Sequence, residues 1–541
     1  MNFIDKLYQA VATAYAKPLL YEVRGETLNA TTGEELQSLV DHVRGFLAAY
    51  GIKPGDRVGL CASNSARWIA ADLAILGAGA IVVPLYDRQA PKELAAMLHD
   101  CGAAVVLVEE ARLCDALAQA WPSHATLALF DDVFAHAPWA ADPTHHADTD
   151  CISLIYTSGT SGEPKGVLYT VANVDFMLTR ATARMREMVE HHEGQERMFH
   201  YLPFAFASSR ITLWVQLLRQ SPLYLSTELK NLPSELAAVQ PHYFLNVPAM
   251  LERIRTSVAQ KVQERGGIAT RIYTATVAAY ERLHLGRWNI KDQILVSLGK
   301  TLLFRRIKQQ VGANLEFLIC GSAPLAESTQ RWFSLLGVPV YQVYGLTETT
   351  AIVTMDSLGR TRPGHVGRPI ADVELKLTPE GELLCRGGNI FPEYWQRPEA
   401  SHKVLCDGWF HTGDLAELSP EGDVKIIGRA KDLVVLQSGF NIAPDPLEAR
   451  LAEHALGAQV IVVGHGRPYL TALFAGGLSE PQAQQALDAV NADLPHAKQI
   501  RRCKVVPDTW SNDNGLLTAN LKLRRSVVER RYANEIQSLY G

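Results

Sequence analysis

The sequence predicts an α/β protein in two parts. The first is a large unit of several subdomains, with helices, mixed and mostly parallel sheets, and a β-rich end. The second is a small α+β unit. Three observations carry this reading. At 541 residues the chain is too long for one ordinary core. Through about residue 350, helical periodicity alternates with short apolar runs, as in parallel sheets with helical crossovers. From about 365 the text turns to short strands and glycine turns.

Taken in order, 34–50, 66–77 and 91–100 read as helices. They alternate with "AIVVPLY" (80–86) and "AAVVLVEE" (103–110), apolar runs that read as buried strands. "CISLIY" (151–156) is a further strand, and the alternation continues through "LEFLICGSAPL" (315–325) and "VPVYQVYGLTET" (338–349). "VELKLTPEGELLCRGGN" (373–389) and "GDVKIIGRAKDLVVLQSG" (422–439) read as β-rich structure. The small unit follows, with strands in "QVIVVGHG" (459–466) and "YLTALFAGG" (469–477) and a helix at 480–493. The polar "GRAKD" at 428–432 places the boundary between units 1–428 and 429–541.

Composition excludes several classes. A hydrophobic share of 47% with 20% charged residues suits a globular protein. A net charge of −5 argues against nucleic-acid binding. Eight scattered cysteines without a Cys-x-x-Cys pair read as free thiols, which points to the cytoplasm. The N-terminus carries no signal-peptide pattern. The uncharged stretch 73–86 is short of the roughly 20 residues of a membrane helix. "LLFRRIKQQ" (302–310) reads first as a solvated helix face, and it leaves peripheral contact with the inner face of a membrane open. The oligomeric state is not legible.

The chemistry begins at "YTSGTSGEPKG" (156–166). It is not a P-loop, which needs Gly, four residues and Gly-Lys-Ser/Thr. A strand runs into Thr157, Ser158, Gly159, Thr160, Ser161 and Gly162, whose hydroxyls and unhindered N–H groups can wrap phosphate oxygens, and Lys165 adds a cation. Alone, this could be an ordinary Gly/Ser turn. Its residue order, however, resembles the signature loop of the adenylate-forming (AMP-binding) enzymes, and the other motifs of that family follow in sequence. In "YGLTET" (344–349) the resemblance implies Tyr344 against adenine, Thr347 on the α-phosphate and Glu348 on Mg²⁺. "GWFHTGD" ends in Asp414 and "GRAKD" holds Arg429, the implied ribose contacts. "NGLLTANLKLRR" (514–525) carries Lys522 at the place of the family's C-terminal catalytic lysine. Each motif alone is weak; all in order, over essentially the whole chain, are specific.

Within the family the chain resembles long-chain fatty-acyl-CoA synthetases, in "WFHTGDLAEL", "LVVLQSGFNIAP", "VVGHGRPYLTAL" and the ending "LLTANLKLRR". The resemblance implies that a carboxylic acid, a medium- or long-chain fatty acid, is activated by ATP to acyl-AMP and passed to coenzyme A. It also implies a mobile small unit turning on Lys431, with Gly439 of "QSGFNIAP" lining the thiol's path; a tight turn is the other reading of Gly439. Gly321, Ser322 and Ala323 of "CGSAPL" would flank the acyl groove. In "YLPFAFASSR" Phe206 stands where long-chain members usually carry His, and in "IFPEYW" Glu393 stands where Gly is usual. The first departure puts acyl specificity in doubt. Rival readings are an acyl-AMP ligase loading a carrier protein, a β-lactone synthetase, and a non-catalytic adenylate-binding protein.

Overall fold

The computed structural model describes residues 1–541 apart from 123–124, 158–163, 194, 227, 456, 513 and 519–521. Two sheets organise the large unit. One has six strands, in the order Thr126–Leu129, Val105–Val108, Arg57–Cys61, Ile81–Leu85, Cys151–Thr157 and Lys165–Thr170. Its neighbours are parallel except the last pair, which is antiparallel. Ile81–Leu85 and Val105–Val108 are buried at every position, which is why they read as unbroken apolar runs. The expected helices are Gly33–Ala49, Ala66–Gly77 and Pro91–Cys101. The first starts where Thr32 and Glu35 cap each other's backbone N–H.

The second sheet has nine strands. At its centre Leu223–Ser226, Met198–His200, Tyr243–Asn246, Phe317–Cys320 and Val340–Tyr344 run parallel. A buried ion pair ties the two sheets together. Arg210, on the helix Ala207–Arg219, meets Asp72 at 2.6 Å and donates to Ser153 Oγ, while Trp214 Nε1 donates to the other Asp72 oxygen at 3.0 Å. Burial pushes Asp72 up and Arg210 down, each shift opposed by the partner's charge. Removing one partner would strand the other ion, at a cost of about 3–5 kcal/mol.

Between Tyr243–Asn246 and Phe317–Cys320 the chain inserts a helical layer that alternation alone did not foretell. It comprises Pro248–Arg265, Gly267–His284 and Ile290–Gly299, the last running through a π turn (Lys300–Phe304) into Arg305–Gly312. At Gly299 a Cβ would lie 2.1 Å from Thr276 Oγ1, so the two helices touch only because Gly stands there.

The β-rich end is an antiparallel sheet of Val373–Leu377, Glu382–Gly387, Trp409–Leu418 and Val424–Arg429, with Leu405–Cys406 at its edge. Arg429, at the expected boundary, is laddered to Asp414 in this sheet. A single 3₁₀ turn, Ala430–Asp432, leads into the small unit. There Gln459–Val463, Leu470–Ala475 and Ile500–Val505 form a three-stranded sheet. Helices Asp445–His454 and Glu480–Asn491 pack on one face, Arg525–Arg531 and Ala533–Ser538 on the other. The central strand is buried throughout for that reason.

Candidate active site

Parallel sheets place ligands beyond the carboxyl ends of their strands. Here the loops after Tyr243–Asn246, Phe317–Cys320 and Val340–Tyr344 open on a cavity of about 1870 Å³ between the large and small units. Ten residues singled out from the sequence line it: Thr157, Lys165, Phe206, Gly321, Ser322, Thr347, Glu348, Arg429, Lys431 and Lys522. They come from both sheets, from the β-rich end and from the small unit.

The loop after Tyr344 doubles back tightly. Val353 N–H donates to Tyr344 C=O, and a Cβ on Gly345 would lie 2.0 Å from Ala351 O. This turn presents Thr347 and Glu348 to the cavity, with Thr347 C=O held by the Tyr169 hydroxyl at 2.7 Å. The Tyr394 hydroxyl donates to Glu348 Oε1 at 2.8 Å, and the Lys165 ammonium lies 5.1 Å from the centre of the Tyr394 ring. Glu348 Oε2 receives no hydrogen bond from a described residue. A hard oxygen at a cavity wall suits Mg²⁺ in donor chemistry.

Behind the wall, buried Asp414 accepts from the Tyr344 hydroxyl at 2.6 Å and forms an ion pair with Arg429, whose Nε lies 2.9 Å from its other oxygen. Burial and the Asp414 charge push the Tyr344 hydroxyl well up. Each Asp414 oxygen keeps a second lone pair, the capacity a pair of ribose hydroxyls would need.

Lys522 enters from the small unit. Thr518 N–H donates to Lys522 C=O at 2.7 Å and Lys522 N–H to Thr518 Oγ1 at 3.1 Å, clipping the ends of its loop together. Its side chain is open to the water of the cavity, yet protein walls surround it. Partial loss of bulk water and the Arg429 charge hold its ammonium below the usual lysine range, with Asp414, Glu348 and Asp445 working the other way. A cation from one unit thus faces the carboxylates and phosphate-type donors of the other across one cavity.

A family model described as AMP-binding enzyme matches residues 8–395, and one described as AMP-binding enzyme C-terminal domain matches 431–541. The chain belongs to the AMP-binding, adenylate-forming superfamily. It is 28% identical to a long-chain-fatty-acid–CoA ligase of Mycobacterium tuberculosis, over 92% of this chain and 90% of that protein. It is 25% identical to rat long-chain-fatty-acid–CoA ligase 5, over 94% and 84%. In fold it matches the adenylation domain of a Mycobacterium chelonae carboxylate reductase, at a TM-score of 0.82 and 21% identity over 100% and 91% of the two chains. It also matches the Bacillus subtilis o-succinylbenzoate coenzyme A synthetase in complex with AMP, at 0.75 and 20% over 96% and 97%. Adenylation of a carboxylic acid with ATP is the chemistry this membership supports.

Not every expected residue of this AMP-binding enzyme meets the cavity. Ser158, Gly159, Thr160, Ser161 and Gly162 lie outside the described residues. Ala323 is exposed and lines nothing in the cavity. Gly439 (φ +82°) closes an exposed hairpin turn, its N–H donating to Leu436 C=O at 2.8 Å, away from the cavity in this arrangement of the units. Tyr344 and Asp414 stand one layer behind the wall. Glu393 is exposed and its carbonyl accepts from Leu168 N–H, as a surface turn would.

Sequence reasoning missed Tyr394, whose neighbour Glu393 drew attention instead, and it missed the inner arm of the cavity. That arm runs along the helix Ala207–Arg219 past Ser208, Ile211, Thr212, Val215 and Gln216, an i, i+3, i+4 stripe. It ends at Met198, Gln216 and Tyr243. Gln216 Nε2 donates to the Tyr243 hydroxyl at 2.6 Å and to Met198 Sδ at 2.7 Å, and Arg219 donates to Gln216 Oε1 at 3.1 Å. The arm is largely apolar, with the hydroxyls of Ser208 and Thr212 on its wall beside Ile211 and Val215, and it is closed by a hydrogen-bonded polar floor.

Proposed function

We propose that this enzyme activates a medium- or long-chain fatty acid to acyl-AMP and transfers the acyl group to coenzyme A. The observation that carries the reading is continuity: Lys522, Lys165, Glu348 and Arg429 share one cavity with an apolar arm that could hold an alkyl chain. From the level of Ser208 to that of Gln216 the helix rises about 12 Å. An extended alkyl chain with bonds of about 1.52 Å and angles near 111° advances about 1.25 Å per carbon, so roughly ten carbons fit. The long-chain ligases among its relatives support the substrate class.

In the first half-reaction a carboxylate oxygen attacks the α-phosphorus of ATP and the bond to the pyrophosphate oxygen breaks. Two anions must approach, so cations are needed where charge accumulates. Lys522 suits the junction of carboxylate and α-phosphate, being a compact charge on a flexible stem. Lys165, held over Tyr394, suits the departing phosphates. Mg²⁺ held by Glu348 would neutralise phosphate oxygens. Arg429 at the wall would hold the ribose, and Asp414, one layer behind it here, would join once the Tyr344 hydroxyl and Arg429 make room. In the second half-reaction the thiol of coenzyme A adds to the acyl carbonyl and AMP leaves with the bonding electrons. Lys522 at that junction would stand in the thiol's way, so the small unit would turn on Lys431 and carry Gly439 inward.

The test is a panel of C2 to C18 and aryl acids with ATP and Mg²⁺, reading pyrophosphate without coenzyme A and thioester plus AMP with it. A maximum between about C8 and C14, with AMP release dependent on free coenzyme A, is expected from the arm's reach. A maximum at acetate or aryl acids would overturn the fatty-acid reading, and turnover without free coenzyme A would overturn the acceptor.

A further inference from the structure

Large apolar side chains on a protein surface are ordinary singly and informative in groups. Among the described residues sixteen are exposed, and six of them, Leu285, Trp288, Ile290, Ile294, Leu298 and Leu302, fall within eighteen residues. Four stand at every fourth position along the helix that begins at Ile290 and continues through the π turn: Ile290 is 71% exposed, Ile294 56%, Leu298 53% and Leu302 56%. The opposite face of the same helix is conventional. Asp292, Val296, Gly299, Phe304 and Ile307 are buried against the helices beneath it. The segment thus has two apolar faces, and only one has a partner within the chain.

Charge separates the candidate occupants. From 285 to 308 the chain carries six cations, Arg287, Lys291, Lys300, Arg305, Arg306 and Lys308, against one acid, Asp292. That acid is buried and paired with Arg282, so it does not neutralise the surface. None of the six cations lies in an ion pair with a described carboxylate; Lys300 lies instead over the Tyr280 ring. This is a basic patch on a chain whose net charge is −5. In a two-fold contact between copies, the same patch would face itself and bring these cations together. An anionic bilayer surface offers the opposite: phosphates for the cations, and an acyl boundary for the isoleucines, the leucines and an interfacial Trp. No helix among the described residues is long and apolar enough to cross a membrane, so the contact is one of lying on the surface.

We infer that the face formed by Trp288, Ile290, Ile294, Leu298, Leu302 and the adjoining Arg305 and Arg306 docks this protein on anionic phospholipid. The helical layer that bears it also reaches the cavity, through Ala249, Met250 and Arg253 on Pro248–Arg265. Docking therefore sets the cavity's own helical layer against the bilayer. The inference stands on surface chemistry and is independent of the catalysed reaction.

The experiment is co-sedimentation of the full-length, untagged chain with vesicles of phosphatidylcholine alone and of phosphatidylcholine with about one third phosphatidylglycerol, at low and high salt. The wild type is expected to partition onto the anionic vesicles only, and to be released by salt. Arg305→Ser/Arg306→Ser should weaken partition about 25-fold, at roughly fivefold per cation. Ile294→Ser/Leu298→Ser should weaken it at least tenfold and abolish any blue shift of Trp288 fluorescence, taken as the difference from Trp288→Phe. Both double variants alter exposed positions, so an unchanged melting temperature is expected and serves as the folding control. Wild-type protein left in the supernatant, or variants that sediment as the wild type does, would overturn the inference. So would concentration-dependent dimerisation in light scattering, lost in Ile294→Ser/Leu298→Ser, without vesicle binding.

Discussion

The clip between Thr518 and Lys522 fixes where the lysine backbone enters the cavity, while the four-carbon stem leaves its ammonium free to follow a substrate. Arg525 supports the same segment from within the small unit. It donates to both oxygens of Glu448 at 2.8 and 2.9 Å and to Val462 C=O at 3.0 Å. Burial nevertheless pushes Glu448 up to about 7, so its charge is held at a cost. Lys522→Ala should lower adenylation about 100–1000-fold, equivalent to about 3–4 kcal/mol. Conversion of supplied acyl-AMP to acyl-CoA should stay near wild type; equal damage to both steps would remove Lys522 from its place in the first. The lowered pKa of Lys522 gives a second outcome. The ammonium is lost as pH rises through that pKa, so adenylation should fall on the alkaline side below the ordinary lysine range. Lys522→Arg keeps its charge, and its residual rate should lack that limb. A limb of the same position in Lys522→Arg would assign the titration to another group.

At the scale of elements, the helix Ala207–Arg219 does two jobs with two faces: Arg210 welds the sheets and Gln216 ends the apolar arm. Gln216→Ala would lengthen the arm while leaving the Tyr243 hydroxyl and Arg219 short of a partner, at about 1–3 kcal/mol in stability. The preferred acid should lengthen by about two carbons at the 1.25 Å advance per carbon. Thr212→Phe, about 6 Å from Ser208 along the helix axis, should shift preference to short acids. Ratios of kcat/KM from C6 to C18 read both; an unchanged ratio in both variants would show that the alkyl chain lies elsewhere. Residues 207–219 also show what a sequence discloses. Strands such as Ile81–Leu85 were legible because total burial writes an apolar run, and Thr347, Glu348 and Lys522 because they sit in ordered motifs. The Gln216–Tyr243 floor was not, because each residue alone is an ordinary polar side chain and only the packing of helix on sheet joins them. Tyr394 was hidden likewise: its hydroxyl meets Glu348 across 46 positions. The ladder Ile290–Leu302 would pass as a core stripe, since spacing tells that a face exists and not whether anything covers it.

At the scale of the molecule, the pose that brings Lys522 to the cavity is held, among the described residues, by few polar contacts between the units. Arg524 donates to both oxygens of Glu93 at 2.9 and 3.3 Å, Asn512 donates to Arg88 C=O at 3.1 Å, and Arg255 lies 3.6 Å from Glu453. Arg524 and Glu93 are separated by 431 positions, and Glu93 lies in no motif. The Arg524 hydrogen bonds hold the Glu93 carboxyl below its usual range, against burial. The pair is part-exposed, so solvent screening limits it to about 0.5–1 kcal/mol. That is enough to matter for a hinge, because a bias of this size changes the ratio of two poses about two- to fivefold. The proposed alternation would need such contacts: a pose held by many kcal/mol would not open for the thiol. Glu93→Gln and Arg524→Ala should each slow adenylation two- to fivefold and leave thioester formation from supplied acyl-AMP unchanged or faster. The double variant should be no slower than either single one, since both remove the same contact. High salt should reproduce the effect in the wild type and not in the variants. Losses that multiply in the double variant, or that fall equally on both half-reactions, would mean that Glu93 and Arg524 act separately and that the pose of Lys522 is held by something else.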